Sequence, residues 1–395
     1  MKIAFFSDNF YPELSGISDS IIALAKELAK RGHEINFYVP KYQPKDYNVA
    51  NLPKQELDLG NNIKIHRLFS FPYPTATGQS RLVSPIFLSL FGIKKFSPDI
   101  IHSQLFFGVG LEALFSAKLN KIPLVGTNHT AITEFLHYSP IKAKWVQNLM
   151  LKYVVWYYNQ CDYVSAPSQS VFTEMSELGF YRPHKAISNP IDLEIFSEKS
   201  KIEGEAEEIK KKFQLSDNTI IYAGRLAAEK NIDVIIRAIA IVKEKIPTIN
   251  FAIAGHGSAL TFLKNLAKEL FIEDRIKFLG TLDKETLAKV YRASKIFVIT
   301  STSETQSMTL MQAMGCRLPV IGVKARALPE YINHKNGFLI EINDHVALAN
   351  KIIFLLKDDN MRKKLSTGSL DFVQQYSVKN IANQWEKIYQ NLIKT

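Results

Sequence analysis

The chain is short of cysteine: Cys161 and Cys316 are the only two in 395 residues. They stand 155 positions apart, which gives neither a disulfide framework nor metal-ligand spacing, so a reducing cytoplasm is the default. No apolar run reaches the roughly 18–20 residues needed to span a bilayer. The first residues read directly as a strand, Lys2–Ser7, with no secretory leader. No Asp-x-Asp sequence occurs, and nothing has the pattern of a nucleic-acid-binding module. Acidic charge is also in deficit, with 38 Asp+Glu against 49 Lys+Arg and a net charge of +11. That surplus favours anionic partners, a nucleotide diphosphate or acidic lipid headgroups ahead of nucleic acid. It is unevenly spread: residues 1–195 carry 19 basic and 16 acidic side chains, and the remainder 30 and 22.

What is present is a regular alternation. Hydrophobic residues make up 46% and charged residues 22%, as in a soluble globular protein, and the length fits two domains better than one core. Strand patterns at Lys2–Ser7, Glu34–Val39, Ile63–Phe69, Asp99–His102, Pro123–Thr127, Asp162–Ala166 and Lys185–Ser188 enclose helical ones at about Ile17–Lys30 and Gly108–Leu119. Lys41–Asn62 reads as a polar loop, and Ser168 as the N-cap of a helix through Leu178. The second half repeats the scheme with strands at Thr219–Ala223, Ile249–Ala254, Arg275–Gly280, Ile296–Thr300, Leu318–Val323 and Gly337–Ile342. Helices at Ile232–Lys245, Glu285–Arg292 and His345–Leu356 lie between or after them, and the last spans about Val378–Leu392. Strands alternating with helices imply an α/β chain with parallel sheets covered on both faces.

Two stretches carry the chemistry. In Ser301-Thr-Ser-Glu-Thr-Gln-Ser-Met-Thr-Leu-Met-Gln-Ala-Met-Gly315, a polar loop leaves a buried strand and enters a helix at Met308. Ligands of open α/β sheets bind at such strand ends, where first-turn amides have no partner within the helix. Glu304 is an acceptor-only carboxylate suited to sugar hydroxyls; the plain alternative is that Glu304 and Ser307 cap the helix. The second stretch, Ile220-Ile-Tyr-Ala-Gly-Arg-Leu-Ala-Ala-Glu-Lys-Asn231, is a strand and a glycine turn bearing two cations. Arg225 and Lys230 could hold a pyrophosphate there, or be solvated surface charges.

Together the two stretches resemble the donor-binding domain of retaining glycosyltransferases of family 4, with the GT-B fold. In that family Gly-Arg-Leu-x-x-Glu-Lys-Asn precedes an acid, seven residues and a second acid; here the first acid is Glu304 and the second position is Gln312. The resemblance implies two Rossmann-like domains facing across a cleft: an acceptor-side domain over residues 1–192 and a nucleotide-sugar domain over 193–377. A terminal helix, about 378–395, would pack back on the first. It further implies that Arg225 and Lys230 stabilise the diphosphate leaving group, and that Glu304 with Gln306, Ser307, Met308 and Thr309 orients the sugar. Gly16, Gly224, Gly255, Lys277 and Gln312 would complete the donor site, and His129 would lie beside the transferred sugar. No metal and no cofactor is required. The family's first loop usually has two adjacent glycines, and Ser15 replaces one of them here.

Thr127-Asn-His-Thr130 is similar to members that glycosylate diacylglycerol or related lipids, which implies a UDP-glucose or UDP-galactose donor and a lipid acceptor. Ser139–Gln160 bears on location. Lys142, Lys144 and Lys152 mix there with Trp145, Trp156 and several tyrosines in a helical stretch. One reading is a face for anionic headgroups and the bilayer interface, making the protein a peripheral enzyme on the cytoplasmic side. The other is a core helix with a few exposed lysines. Two further readings stay open: the same fold acting on a soluble or polysaccharide acceptor, and a non-catalytic sugar-nucleotide binder, for which Gln312 is the argument.

Overall fold

The structure is a computed structural model that describes residues 1–13, 15–49, 52–72, 81–130, 143–197 and 204–394. The chain divides into two compact units, Met1–Pro190 with Val378–Thr395, and Ile191–Ser377.

The first unit is built on seven strands: β1 (Lys2–Phe6), β2 (Glu34–Pro40), β3 (Ile63–Leu68), β4 (Ile100–Ser103), β5 (Leu124–Thr127), β6 (Tyr163–Ala166) and β7 (His184–Ala186). All pair in parallel, in the order β3-β2-β1-β4-β5-β6-β7. Because helices cover both faces, the central strands are near-continuous apolar runs; in β1, Ile3 to Phe6 are all fully buried. The helices are α1 (Gly16–Lys30), α2 (Pro44–Val49), α3 (Leu90–Phe96), α4 (Gly108–Asn120), α5 (Lys144–Tyr158) and α6 (Gln169–Glu177). The chain order reverses direction across the sheet between β1 and β4, the topological switch point of this unit.

The second unit has β8 (Asn218–Ala223), β9 (Ile249–Ala254), β10 (Ile276–Gly280), β11 (Ile296–Ile299), β12 (Val320–Val323) and β13 (Gly337–Ile340), parallel in the order β10-β9-β8-β11-β12-β13. Its switch point falls between β8 and β11. Around the sheet lie α7 (Glu205–Phe213), α8 (Ile232–Lys245), α9 (Leu260–Glu269), α10 (Lys284–Ala293), α11 (Met308–Gly315), α12 (Leu328–Tyr331), α13 (His345–Lys357) and α14 (Asp359–Gln374). The final helix, α15 (Val378–Lys394), belongs to the first unit. It docks there on α1 and the α1–β2 turn through Glu386, which takes Arg31 at 2.6 Å and His33 at 2.7 Å. Beneath that surface pair, Tyr389 on α15 is hydrogen-bonded to Nδ1 of the buried His102 at 2.6 Å.

The first helix, Gly16–Lys30, has the bounds expected to within a residue, with the Ser15 hydroxyl accepting the Ile17 amide as its N-cap. Other sequence expectations need correction. Lys41–Asn62 is not all loop: α2 lies within it, started by Asp46, whose carboxylate accepts the Gln43 amide. Neither α3 nor α14 was read from the pattern, although Asp358 caps α14 through the Met361 amide. Ser168 takes the N-cap position of α6 as expected, but its hydroxyl makes no capping bond and pairs with that of Ser170.

In the second unit, Arg292 on α10 reaches Glu205 at the start of α7 at 2.7 Å, and both side chains are buried. Removing one partner strands the other charge in a low-dielectric site. Arg292→Ala is therefore expected to lower unfolding free energy by about 3–5 kcal/mol, measured by denaturant titration, whereas Arg237→Ala, which takes away an exposed pair with Asp233, should cost about 1 kcal/mol or less.

Candidate active site

The two chemistry-bearing stretches meet at the switch point of the second unit. β8 and β11 are neighbours in the sheet, and the loops leaving their carboxyl ends are joined at several points. Lys230 donates to Glu304 Oε1 at 2.7 Å and lies 3.4 Å from the hydroxyls of Ser301 and Ser303. Both members of this ion pair are largely buried. Thr300 Oγ1 donates to the carbonyl of Asn231 at 2.8 Å, and the Thr302 amide donates to the carbonyl of Glu229 at 3.2 Å. Arg225, on the same turn, is held by Glu229 at 2.7 Å and is more exposed. The sequence assigns Lys230 and Glu304 to different parts of a ligand; the structure couples them directly, leaving the second Glu304 oxygen outside the ion pair.

Glycine makes this convergence possible at two places. Gly224 has φ +147° and Gly255 has φ +142°, a region that side chains disfavour. A Cβ on Gly255 would sit 1.9 Å from the Gly224 carbonyl oxygen, so only glycine lets the β8 and β9 turns pass. The turns are then tied by the Gly224 amide to Ala254 at 2.9 Å and the Gly255 amide to Gly280 at 2.7 Å.

On the other side, Ser307 is the N-cap of α11, its hydroxyl accepting the Leu310 amide at 3.2 Å and pairing with the Thr309 hydroxyl at 3.1 Å. The capping reading of Ser307 is thus correct. Capping by Glu304 is replaced by its bond to Lys230. Gln306 is buried beside Ser307, and Met308 and Thr309 form the first turn of α11. Gln312, one turn on, has a buried Oε1 with no hydrogen-bond partner. Lys277 stands apart from this group. It lies within β10, the edge strand, opposite Ala252 of β9 and three strands from β11.

In the first unit, Gly16 opens α1 just past β1, where the Ser15 cap already occupies one first-turn amide. His129 follows β5, and its Nε2 is 2.8 Å from Oε1 of Gln104, which follows the adjacent strand β4. Burial pushes His129 down to about 3, so its imidazole is neutral at physiological pH. Sequence reasoning missed Gln104 and also Asp8, which leaves β1 on the other side of the switch point. Asp8 Oδ1 accepts the Val109 amide of α4 at 2.9 Å, and burial pushes the carboxyl up to about 7 against the pull of nearby amides. The available signal was a polar residue within two positions of a buried strand's carboxyl end. Among the described residues no group of His, Cys, Asp or Glu is arranged to hold a metal ion.

Residues 205–369 match the family described as Glycosyl transferases group 1, and residues 14–195 the one described as Glycosyltransferase Family 4. The chain is a glycosyltransferase, made of a family 4 domain and a group 1 domain. Among curated relatives of this glycosyltransferase is the alpha-monoglucosyldiacylglycerol synthase of Streptococcus pneumoniae, 29% identical over 324 residues, 81% of this chain and 70% of that one. Another is the N-acetyl-alpha-D-glucosaminyl L-malate synthase of Bacillus anthracis, 25% identical over 97% of this chain and 96% of that one. Among solved structures, Anabaena HepE in complex with UDP aligns with TM-score 0.79 at 19% identity, covering 99% of this chain and all of that one. The fold is GT-B: two Rossmann-like units, each a parallel sheet with helices.

The buried groups of the first unit set its response to acid. Folded His129 titrates near 3 and His102 well below its ordinary 6.5, both through burial. The unfolded chain therefore binds protons that the folded chain refuses, and stability falls as pH drops from 6.5 toward 3. Asp8 acts in the opposite sense, costing stability as pH rises from 3.8 to about 7. With two imidazoles against one carboxyl, the thermal midpoint should fall on acidification through this window, and Asp8→Asn should make the fall steeper. Melts across the range read both slopes.

Proposed function

We propose that this glycosyltransferase is a retaining enzyme that moves a hexose from UDP-glucose or UDP-galactose to a membrane lipid such as diacylglycerol. The observation that carries the catalytic part is the Lys230–Glu304 pair at the β8/β11 switch point, with Arg225 on the same turn. In this reading Arg225 and Lys230 stabilise the diphosphate as negative charge develops on it, by fixed electrostatics without a metal. Glu304 and the first-turn groups of α11, from Gln306 to Thr309, orient sugar hydroxyls. The Gln312 carbonyl, buried and unpartnered, accepts from a ribose hydroxyl. His129 contributes a neutral imidazole beside the transferred sugar. The UDP held by Anabaena HepE supports the choice of base.

The lipid acceptor rests on two supports. The S. pneumoniae relative is, by name, a synthase of a glucosylated diacylglycerol. In α5, Val154, Val155, Tyr157 and Tyr158 are buried, while Trp145 is 72% exposed, Leu149 60% and Trp156 47%. With the exposed Lys152 these form one helical stripe, and the exposed Lys144 stands at the start of the helix, so the helix is core on one face and basic-aromatic on the other. Lys142 lies outside the described residues. A second apolar exposure, which sequence reading did not single out, runs through Ile86, Phe87 and Phe91 beside Lys94 and Lys95 of α3. Beyond the exposed Phe69 and Phe71, residues 73–80 fall outside the described residues. No helix among the described residues is long and apolar enough to cross a membrane, so contact would be peripheral. The B. anthracis relative, whose name specifies L-malate, keeps a soluble acceptor as the second reading.

The deciding experiment is a transfer assay with a panel of nucleotide sugars, with diacylglycerol in anionic vesicles and with soluble hydroxy acids as acceptors. Transfer only to a soluble acceptor replaces the lipid reading. Arg225→Ala or Lys230→Ala should lower turnover by about 10²-fold or more, and near-normal rates in both remove these cations from the mechanism. Vesicle sedimentation should show binding that needs anionic lipid, weakens with salt and persists in part, because each lysine contributes about 1 kcal/mol while the rings are insensitive to salt. Lys144→Glu with Lys152→Glu should reduce it without changing donor affinity. A wild-type protein that stays in the supernatant at low salt counts against the membrane.

A further inference from the structure

Gln104 is 2% exposed and His129 8%. They follow adjacent strands, β4 and β5, and the bond between them at 2.8 Å is from ring Nε2 to amide Oε1. An amide oxygen only accepts, so with Oε1 turned toward the ring the proton of the neutral imidazole sits on Nε2 and Nδ1 carries the lone pair. Gln104 achieves this while leaving its own Nε2 buried and without a hydrogen-bond partner. Its backbone is fixed separately, by its amide donating to the Phe6 carbonyl of β1 at 2.8 Å. A buried donor left unsatisfied is unfavourable and calls for an explanation, of which a functional constraint is one. An apolar side chain of similar size would remove the orphaned amide nitrogen but would also take from the buried His129 Nε2 the oxygen that accepts its proton.

We propose that Gln104 is a positioning residue for His129: its carbonyl fixes the tautomer and ring orientation with which the imidazole meets the substrate. Gln104 need not touch substrate, and its effect runs wholly through His129. The inference rests on the role given to His129 above, and the test reads the two separately.

The first measurement needs no turnover. Nitrogen-15 spectra of the nine histidines, with His129 assigned by its loss in His129→Ala, report the tautomer directly. The expected result is the Nε2–H form in the wild type and a mixed or Nδ1–H form in Gln104→Leu. An Nδ1–H form in the wild type, or the same tautomer in both proteins, overturns the proposal. The second is a kinetic cycle on the transfer reaction. Gln104→Leu should lower kcat at least 10-fold with KM for the nucleotide sugar within 3-fold, and Gln104→Glu, which keeps the accepting oxygen, should recover part of that loss. In a His129→Ala background, Gln104→Leu should change kcat less than 2-fold. Independent, multiplying losses would mean that Gln104 is merely structural, and overturn the proposal. Should the wild type transfer no sugar to any acceptor, the functional reading fails in that arm alone, while the spectra still decide whether Gln104 sets the tautomer.

Discussion

The second unit is organised by one ion pair. Lys230 and Glu304 come from loops separated by more than seventy residues, yet they meet at 2.7 Å because β8 and β11 are adjacent in the sheet. The pair is largely buried and sheltered from screening, and hydroxyls of Ser301 and Ser303 share the ammonium. The backbone around it is equally constrained. The Gly224 and Gly255 turns pass at a distance that no Cβ tolerates, so the frame of the pair is set by main chain as well as by charge.

Each unit keeps its polar residues at the same topological position. At a switch point two neighbouring strands send their connections in opposite directions, which leaves a crevice at their carboxyl ends. In the second unit that place holds charged groups, Arg225, Lys230 and Glu304. In the first it holds Asp8 and Gln104, with His129 one strand further on, all more than nine-tenths buried. The two places differ in character, charged in the second unit and polar and deeply buried in the first.

Much of the architecture was legible because it follows from periodicity. Met308–Gly315, Ile232–Lys245 and Ile249–Ala254 were read with the bounds they have in the structure. The misses have local causes. α3 is seven residues of mainly apolar sequence with Gly92 inside, too short for a helical period to emerge. α2 begins at a proline in a polar stretch and is set by the Asp46 bond, which a composition argument does not register. For α5 the pattern left a core helix and an exposed basic-aromatic helix both open. Both descriptions apply to different faces, because Val154 and Tyr158 lie under Trp145 and Trp156 on the helix wheel.

By itself the sequence determined the fold class, the two-fold repetition of strand and helix, and the family, through motifs whose residues are contiguous: Gly224 to Asn231, and Glu304 to Gln312. It also marked each cation and carboxylate as a candidate. The tertiary structure alone decided which of them touch. That Lys230 belongs to Glu304, that Lys277 is remote on an edge strand, and that Gln104 holds His129 are consequences of strand order in a sheet. Strand order is fixed by long-range pairing of buried apolar runs, and those runs are too alike in composition for their neighbours to be read from the sequence.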